Sequence, residues 1–163
     1  MTTSNTPKAD QVAFYDGSHY VMEESIGYLI RQAQLAMHRT IDARMVELDL
    51  TAQQWIPLLL LDQCKAQTAA ELSRCLGVDT STTTRMLDRL EAKGLLERQR
   101  SADDRRIINL VLTETGKTLA GRIPYVTAES LNLHLRDFSQ AEFTELKRLL
   151  RKLTANEEGA KGE

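Results

Sequence analysis

The chain has 163 residues, 42% of them hydrophobic, and a formal net charge of −2. That length supports one substantial core, or one plus an extension. The charge balance excludes a generic polyanion binder, so any nucleic-acid contact must come from cations placed locally.

No apolar run approaches the length of a membrane-spanning helix, and the polar first ten residues lack the apolar core of a signal peptide. A soluble, cytoplasmic protein without a membrane partner is the expectation. Residues 1–17 read as a flexible arm, polar at first and then carrying Phe14 and Tyr15 before Gly17. A long helix is predicted over about residues 21–48, because Ile26, Leu29, Ile30, Ala33, Met37, Ile41, Met45 and Leu48 recur at three- and four-residue steps. Thr51-Ala-Gln-Gln54 is a capping box that opens the next helix, with Pro57 inside it, past the first turn, where a local distortion is expected.

A second capping box, Thr68-Ala-Ala-Glu71, starts a helix that buries Ala69, Leu72 and Leu76 and ends at Gly77. Asp79 or a neighbour then caps another helix reaching Lys93, with Met86, Leu87 and Leu90 facing inward. Its leading turns carry Thr80, Ser81, Thr82, Thr83, Thr84 and Arg85. Short hydroxyl side chains suit close approach to phosphates and base edges, and arginine reaches guanine or phosphate. Standing alone, such a threonine run would merely start a helix. Gly94 closes this helix in a left-handed position, and residues 95–100 and 107–113 alternate as paired strands around Ser101-Ala-Asp-Asp-Arg-Arg106. This order of elements is a winged helix-turn-helix, with one helix for a major groove and an arginine-tipped hairpin for a narrow minor groove. Asp104 is placed to pair with Arg106 and fix its direction. Between residues 85 and 106 seven basic side chains face five acidic ones, so placement matters more than number.

After the wing, a helix broken at Gly121 and Pro124 carries Leu131, Leu133, Leu135 and Phe138. A third capping box, Ser139-Gln-Ala-Glu142, opens a last helix with the stripe Phe143, Leu146, Leu149, Leu150 and Leu153. An isolated chain would expose much of these stripes, whereas a two-fold dimer covers them and presents two reading heads.

The chain resembles the multiple-antibiotic-resistance regulator (MarR) family from about residue 23 to 153. The most specific pieces are TRMLDRLEAKGLLER at 84–98, DDRR at 103–106 and LTETGK at 112–117. The resemblance implies a DNA-binding homodimer that regulates transcription, by default as a repressor. By motif match Arg85 belongs to the recognition helix, Arg106 is the wing arginine of the minor groove with Arg105 beside it, and Asp104 is the wing aspartate.

The expected fold is mainly α with a small β-wing, a winged helix-turn-helix embedded in a helical dimerisation domain. Its parts are the arm at 1–17, a dimerisation region at 18–50 and 114–156, the DNA-binding region at 51–113, and a disordered tail at 157–163. Expected DNA contacts are Thr80, Ser81, Thr82, Thr84, Arg85, Arg89, Arg105 and Arg106. A small aromatic acid is the expected effector, held by some of Ser18, His19, Tyr20, Tyr28, Arg31, His38 and Trp55. Singly, each of these is more ordinarily a core or solvated residue. No cofactor or metal is expected. The three histidines form no catalytic or ligand pattern, and Cys64 and Cys75 lack metal-site spacing and read as buried, inert thiols. A redox-responsive regulator of the same fold, or a winged-helix interaction module that does not bind DNA, are the alternatives.

Overall fold

The computed structural model describes residues 13–160, with side-chain surroundings up to residue 155. The predicted arm therefore lies mostly outside the described residues. By backbone proximity the chain forms two compact units, residues 1–36 and 37–163, with the boundary inside the first long helix.

In the first unit, Asp16 caps a 3-10 turn at Gly17–His19, its carboxylate accepting the Ser18 N–H at 3.1 Å. A second 3-10 turn covers Met22–Glu24. Ser25 is extended (φ −73°, ψ 144°). Its hydroxyl donates to the Met22 carbonyl and accepts the Tyr28 N–H. The helix predicted from residue 21 consequently starts only at Ile26, where the Ser25 hydroxyl supplies the capping oxygen. This helix, α1, spans Ile26–Met45 and tightens into a 3-10 turn at Val46–Leu48. Asp49, left-handed at φ 53°, stops it.

In the second unit α2 (Ala52–Asp62) and α3 (Ala69–Leu76) both start on the predicted capping boxes, at Thr51 and Thr68. Pro57 has no N–H to donate to Gln53, yet α2 continues through it. Gly77, at φ 65°, ends α3 and turns the chain into α4 (Thr80–Ala92), capped by Asp79. Strands β1 (Leu96–Arg100) and β2 (Ile108–Leu112) pair antiparallel, with Leu96 opposite Leu112 and Arg100 opposite Ile108. The loop before α3 joins the hairpin's base, where Gln67 accepts the Leu110 N–H at 2.8 Å. Then follow α5 (Glu114–Ala120), α6 (Ile123–His134) and α7 (Gln140–Ala160). The break between α5 and α6 falls where Gly121 and Pro124 predict it. α7 is helical to Ala160, and the rest of the predicted tail, residues 161–163, lies outside the described residues.

The core gathers Met45, Leu50, Leu58, Leu72, Leu87, Leu90, Leu96 and Ile123, each almost wholly buried. It thus joins the end of α1 and the start of α6 to the helix-turn-helix, and holds the reading head on the helical part. Polar bonds add to this seam: Arg44 pairs with Glu129 at 3.1 Å and His134 Nε2 lies 2.9 Å from the Thr40 hydroxyl. α7 contributes no buried residue among its described side chains, and Leu149 and Leu150 are 48% and 41% exposed.

Candidate nucleic-acid interface

The leading turn of α4 is organised by Asp79. Its carboxylate accepts the Thr82 N–H at 2.9 Å and the hydroxyls of Ser81 and Thr82. These bonds favour the charged form and hold the carboxyl well below the ordinary aspartate range. The Thr84 hydroxyl donates to the Thr80 carbonyl, and Thr83, fully buried, donates to the Asp79 carbonyl. Ser81, Thr82 and Thr84 have therefore each spent their one O–H inside the helix. Phosphate is an acceptor, so to donate to it each must first give up that bond. Toward a base donor their lone pairs remain available.

Arg85 is exposed and makes no hydrogen bond or ion pair among the described residues. Arg89, one turn further, donates to Gln53 Oε1 at 2.9 Å. Between the start of α2 and α4 lies a cleft of about 230 Å³ lined by Gln53, Thr82, Arg85, Met86 and Arg89, with no carboxylate in its wall. Lys93 is tied to the α1–α2 corner, donating to the Asp49 carboxylate at 3.0 Å and to the Asp49 carbonyl. The acids of α4 face elsewhere. Asp88 and Glu91, one turn apart, both accept from the Arg98 guanidinium of β1. Partial burial opposes the charge on Arg98, but the two carboxylates outweigh it and raise its pKa above the ordinary arginine value.

At the hairpin tip, Ser101 N–H donates to the Ile107 carbonyl at 2.9 Å and the Ser101 hydroxyl accepts from the N–H groups of Asp103 and Asp104. Asp104 accepts the backbone N–H of Arg106 at 2.9 Å. Asp104 thus pairs with Arg106 through the backbone: the carboxylate shapes the turn, and the guanidinium makes no ion pair among the described residues. Arg105 and Arg106 are both exposed.

A model of the MarR family matches residues 50–108 of this chain. The transcriptional regulator PA3341 is 32% identical over 83% of this chain and 99% of its own, with a TM-score of 0.75. The chain belongs to the MarR family. MarR of E. coli, in a cysteine-to-serine variant complexed with operator DNA, is 30% identical over 78% of this chain and 92% of its own, with a TM-score of 0.70. BpsR of Bordetella bronchiseptica, at 24% identity over 83% and 96% of the two chains and a TM-score of 0.73, shares the fold. Members of the MarR family are DNA-binding transcriptional regulators, and the family model spans the helix-turn-helix together with the first strand and the tip of the wing.

The residues expected around an effector are distributed over both units. In the first unit the Ser18 hydroxyl donates to Asp16 at 2.6 Å and His19 Nδ1 lies 2.9 Å from the same carboxylate. The bonds from Ser18 and His19 hold Asp16 down at about 2. Two of the expected ligand groups are thereby committed to an anion already in place. Tyr20 packs its ring 5.8 Å from that of Tyr15, while Tyr28 is half-buried and Arg31 exposed on α1. In the second unit Trp55 is a core residue, 6% exposed, and its indole N–H donates to Asp42 at 2.9 Å. His38 lies beside it, with ring centroids 6.2 Å apart.

Both cysteines are exposed, which corrects the expectation of buried thiols. Cys64 sits beyond the end of α2 in a left-handed turn (φ 53°), where its side chain is turned out of the core. Cys75 lies on the outer side of the short α3, and its thiol is 3.6 Å from the Lys65 carbonyl. Cysteine's frequent burial is a tendency of the residue type, and neither the turn at Cys64 nor the facing of α3 is written in the spacing. The Arg98 clamp and the Gln53–Arg89 bond are the features that sequence reasoning missed. Strand parity did carry one signal, since Arg98 falls on the inward side with Leu96, opposite Leu110.

No helix among the described residues is long and apolar enough to cross a membrane.

Proposed function

We propose that the chain is a homodimeric repressor that binds a pseudo-palindromic operator and is released by a small aromatic carboxylate or phenol. The observation that carries the DNA reading is the pairing of two kinds of uncommitted arginine on one winged helix-turn-helix. Arg85 stands on the recognition helix and Arg105 and Arg106 stand at the wing tip, none with an acidic partner among the described residues. Major-groove reading then falls to Arg85, with Thr80, Ser81, Thr82 and Thr84 accepting from or lying against base edges, and Arg89 serves the backbone. Arg106, with Arg105 beside it, takes the minor groove on a turn that Asp104 orients.

The dimer reading is supported by α7. A helix of 21 residues with no buried side chain among those described, yet with Leu146, Leu149, Leu150 and Leu153 along one stripe, is the mark of a surface that a second copy covers. Half-site centres then lie about 10 base pairs apart, one turn of duplex.

For the effector, DNA binding of BpsR is regulated by 6-hydroxynicotinic acid on the same fold. An aromatic acid is therefore the class to test first. Arg31 is the preferred carboxylate partner, since its guanidinium is exposed. Ser18 and His19 would first have to leave Asp16, and Trp55 acts through the packing of α2. A second reading, thiol-based release, is favoured by one observation: both cysteines are open to solvent.

Selection of bound duplexes from a random pool, repeated with a panel of aromatic acids and with a peroxide, tests all of this. A palindromic consensus lost on addition of one acid is the expected result. Absence of any enriched duplex would overturn the DNA reading, and loss with peroxide alone would transfer the switch to the thiols.

A further inference from the structure

We infer that Arg98 is a positioning residue for DNA recognition, a clamp that fixes the pitch of the wing against the recognition helix so that Arg106 meets the minor groove while α4 occupies the major groove. This rests on the reading head proposed above.

Three observations carry it. First, Arg98 lies on the inward face of β1, opposite Leu110, and is only 28% exposed in its side chain. Second, its guanidinium spans two carboxylates of α4, with NH2 donating to Asp88 Oδ1 at 2.8 Å and NH1 to Glu91 Oε2 at 2.5 Å. Asp88 and Glu91 are one helical turn apart, so a planar fork bridging them fixes an angle as well as a distance. Third, apart from one bridge of Asn109 to Thr68, the hairpin beyond Arg98 has little to rest on. Gln99, Arg100 and Ile108 are exposed. A two-stranded hairpin is barely stable alone, so its direction is set at its base.

The lever arm makes the clamp matter. Ser101, where the tip starts, lies three residue steps beyond Arg98, roughly 10 Å at ~3.3 Å each. A tilt of about 30° at the clamp moves the tip by roughly 5 Å, nearly the ~6 Å width of a minor groove.

The test is a set of double-mutant cycles on the selected operator, read as affinity at fixed salt. In the parent, Arg106→Ala should weaken binding about tenfold. In an Arg98→Met background, which keeps much of the side chain's volume without charge, the same change should cost no more than about twofold, because the arginine is no longer delivered. Arg85→Ala should cost the same factor in both backgrounds, which a general loss of folded protein or of positive charge would not allow to diverge from Arg106. Asp88→Ala with Glu91→Ala removes the clamp from the other side and should silence Arg106 likewise, which keeps the test alive if Arg98→Met does not fold. An equal Arg106 loss in clamped and unclamped proteins overturns the inference alone. An Arg106→Ala protein that binds like the parent overturns the wing reading, and the inference with it.

Discussion

A Cβ placed on Gly116 would meet the carbonyl oxygen of Leu95 at 1.9 Å. The start of α5 is thus pressed against the turn that ends the recognition helix. Around this contact Thr113 donates its N–H to the Leu95 carbonyl at 3.1 Å and its hydroxyl to the Gly94 carbonyl at 2.7 Å. The recognition helix, both strands of the wing and α5 all meet here. Gly116→Ala should therefore destabilise the protein by about 1–3 kcal/mol or more, since backbone rather than a movable side chain lies in the way. Gly121→Ala is the control. Its nearest neighbour would be at an ordinary 3.4 Å, and urea unfolding should place it within about 1 kcal/mol of the parent. Equal stability of the two variants would show that α5 can back away.

Asp104 acts on the wing through the backbone N–H of Arg106. Asp104→Ala should weaken operator binding severalfold, on the order of 1 kcal/mol, and leave the melting temperature within error. Asp104→Asn keeps an acceptor oxygen in place and should recover most of the loss. Fluorescence anisotropy with labelled operator separates the three proteins. An Asn variant as weak as the Ala variant would mean that charge, and not the turn, is what counts.

The cap at Asp79 sets a pH dependence with a definite sign. Its folded-state pKa lies below the unfolded value, so the carboxylate stabilises the start of α4 above about pH 4. That contribution fades as the pH falls below the unfolded value toward the folded one. Asp79→Asn still caps by hydrogen bonding but cannot titrate. The stability difference between parent and Asn variant should hold from pH 6 to about pH 5 and then shrink toward about pH 2, as followed by denaturant unfolding. A constant difference would show that the carboxylate's charge contributes nothing.

Leu149→Glu and Leu150→Glu place a charge on the open face of α7. If a second copy covers that face, each forfeits about 1.5–3 kcal/mol of apolar burial and adds a desolvation cost, so sedimentation should find monomer where the parent is dimeric. Far-UV circular dichroism should be unchanged, because neither side chain is in the core. A parent that sediments as a monomer would remove the basis for the pairing.

Local chemistry was legible in the sequence, and long-range chemistry was not. Thr51, Thr68 and Asp79 cap where their side chains predict, and Gly77 and Gly94 take positive φ where helices must stop. Each of these depends on residues within three or four positions. The wing is legible for another reason, the alternation of apolar residues on either side of the polar segment 101–106, although its paired residues stand eight to sixteen positions apart. By contrast, apolar periodicity predicts α1 from about residue 21, and the Ser25 hydroxyl, competing for backbone groups, holds its start back to Ile26. That Asp104 meets Arg106 is legible from spacing, but that it does so through the backbone N–H is not. Arg98 was counted as one cation among seven because its partners, seven and ten residues back, come together only when the hairpin folds onto α4.

Trp55 is the only tryptophan of the chain, and it sits where α2 meets the end of α1, bonded to Asp42 of that helix. The protein thus carries its own optical gauge at the joint between its helical part and its reading head. Light emitted from that one indole, read without any label, will change colour whenever the joint loosens and will stay constant when only the wing moves.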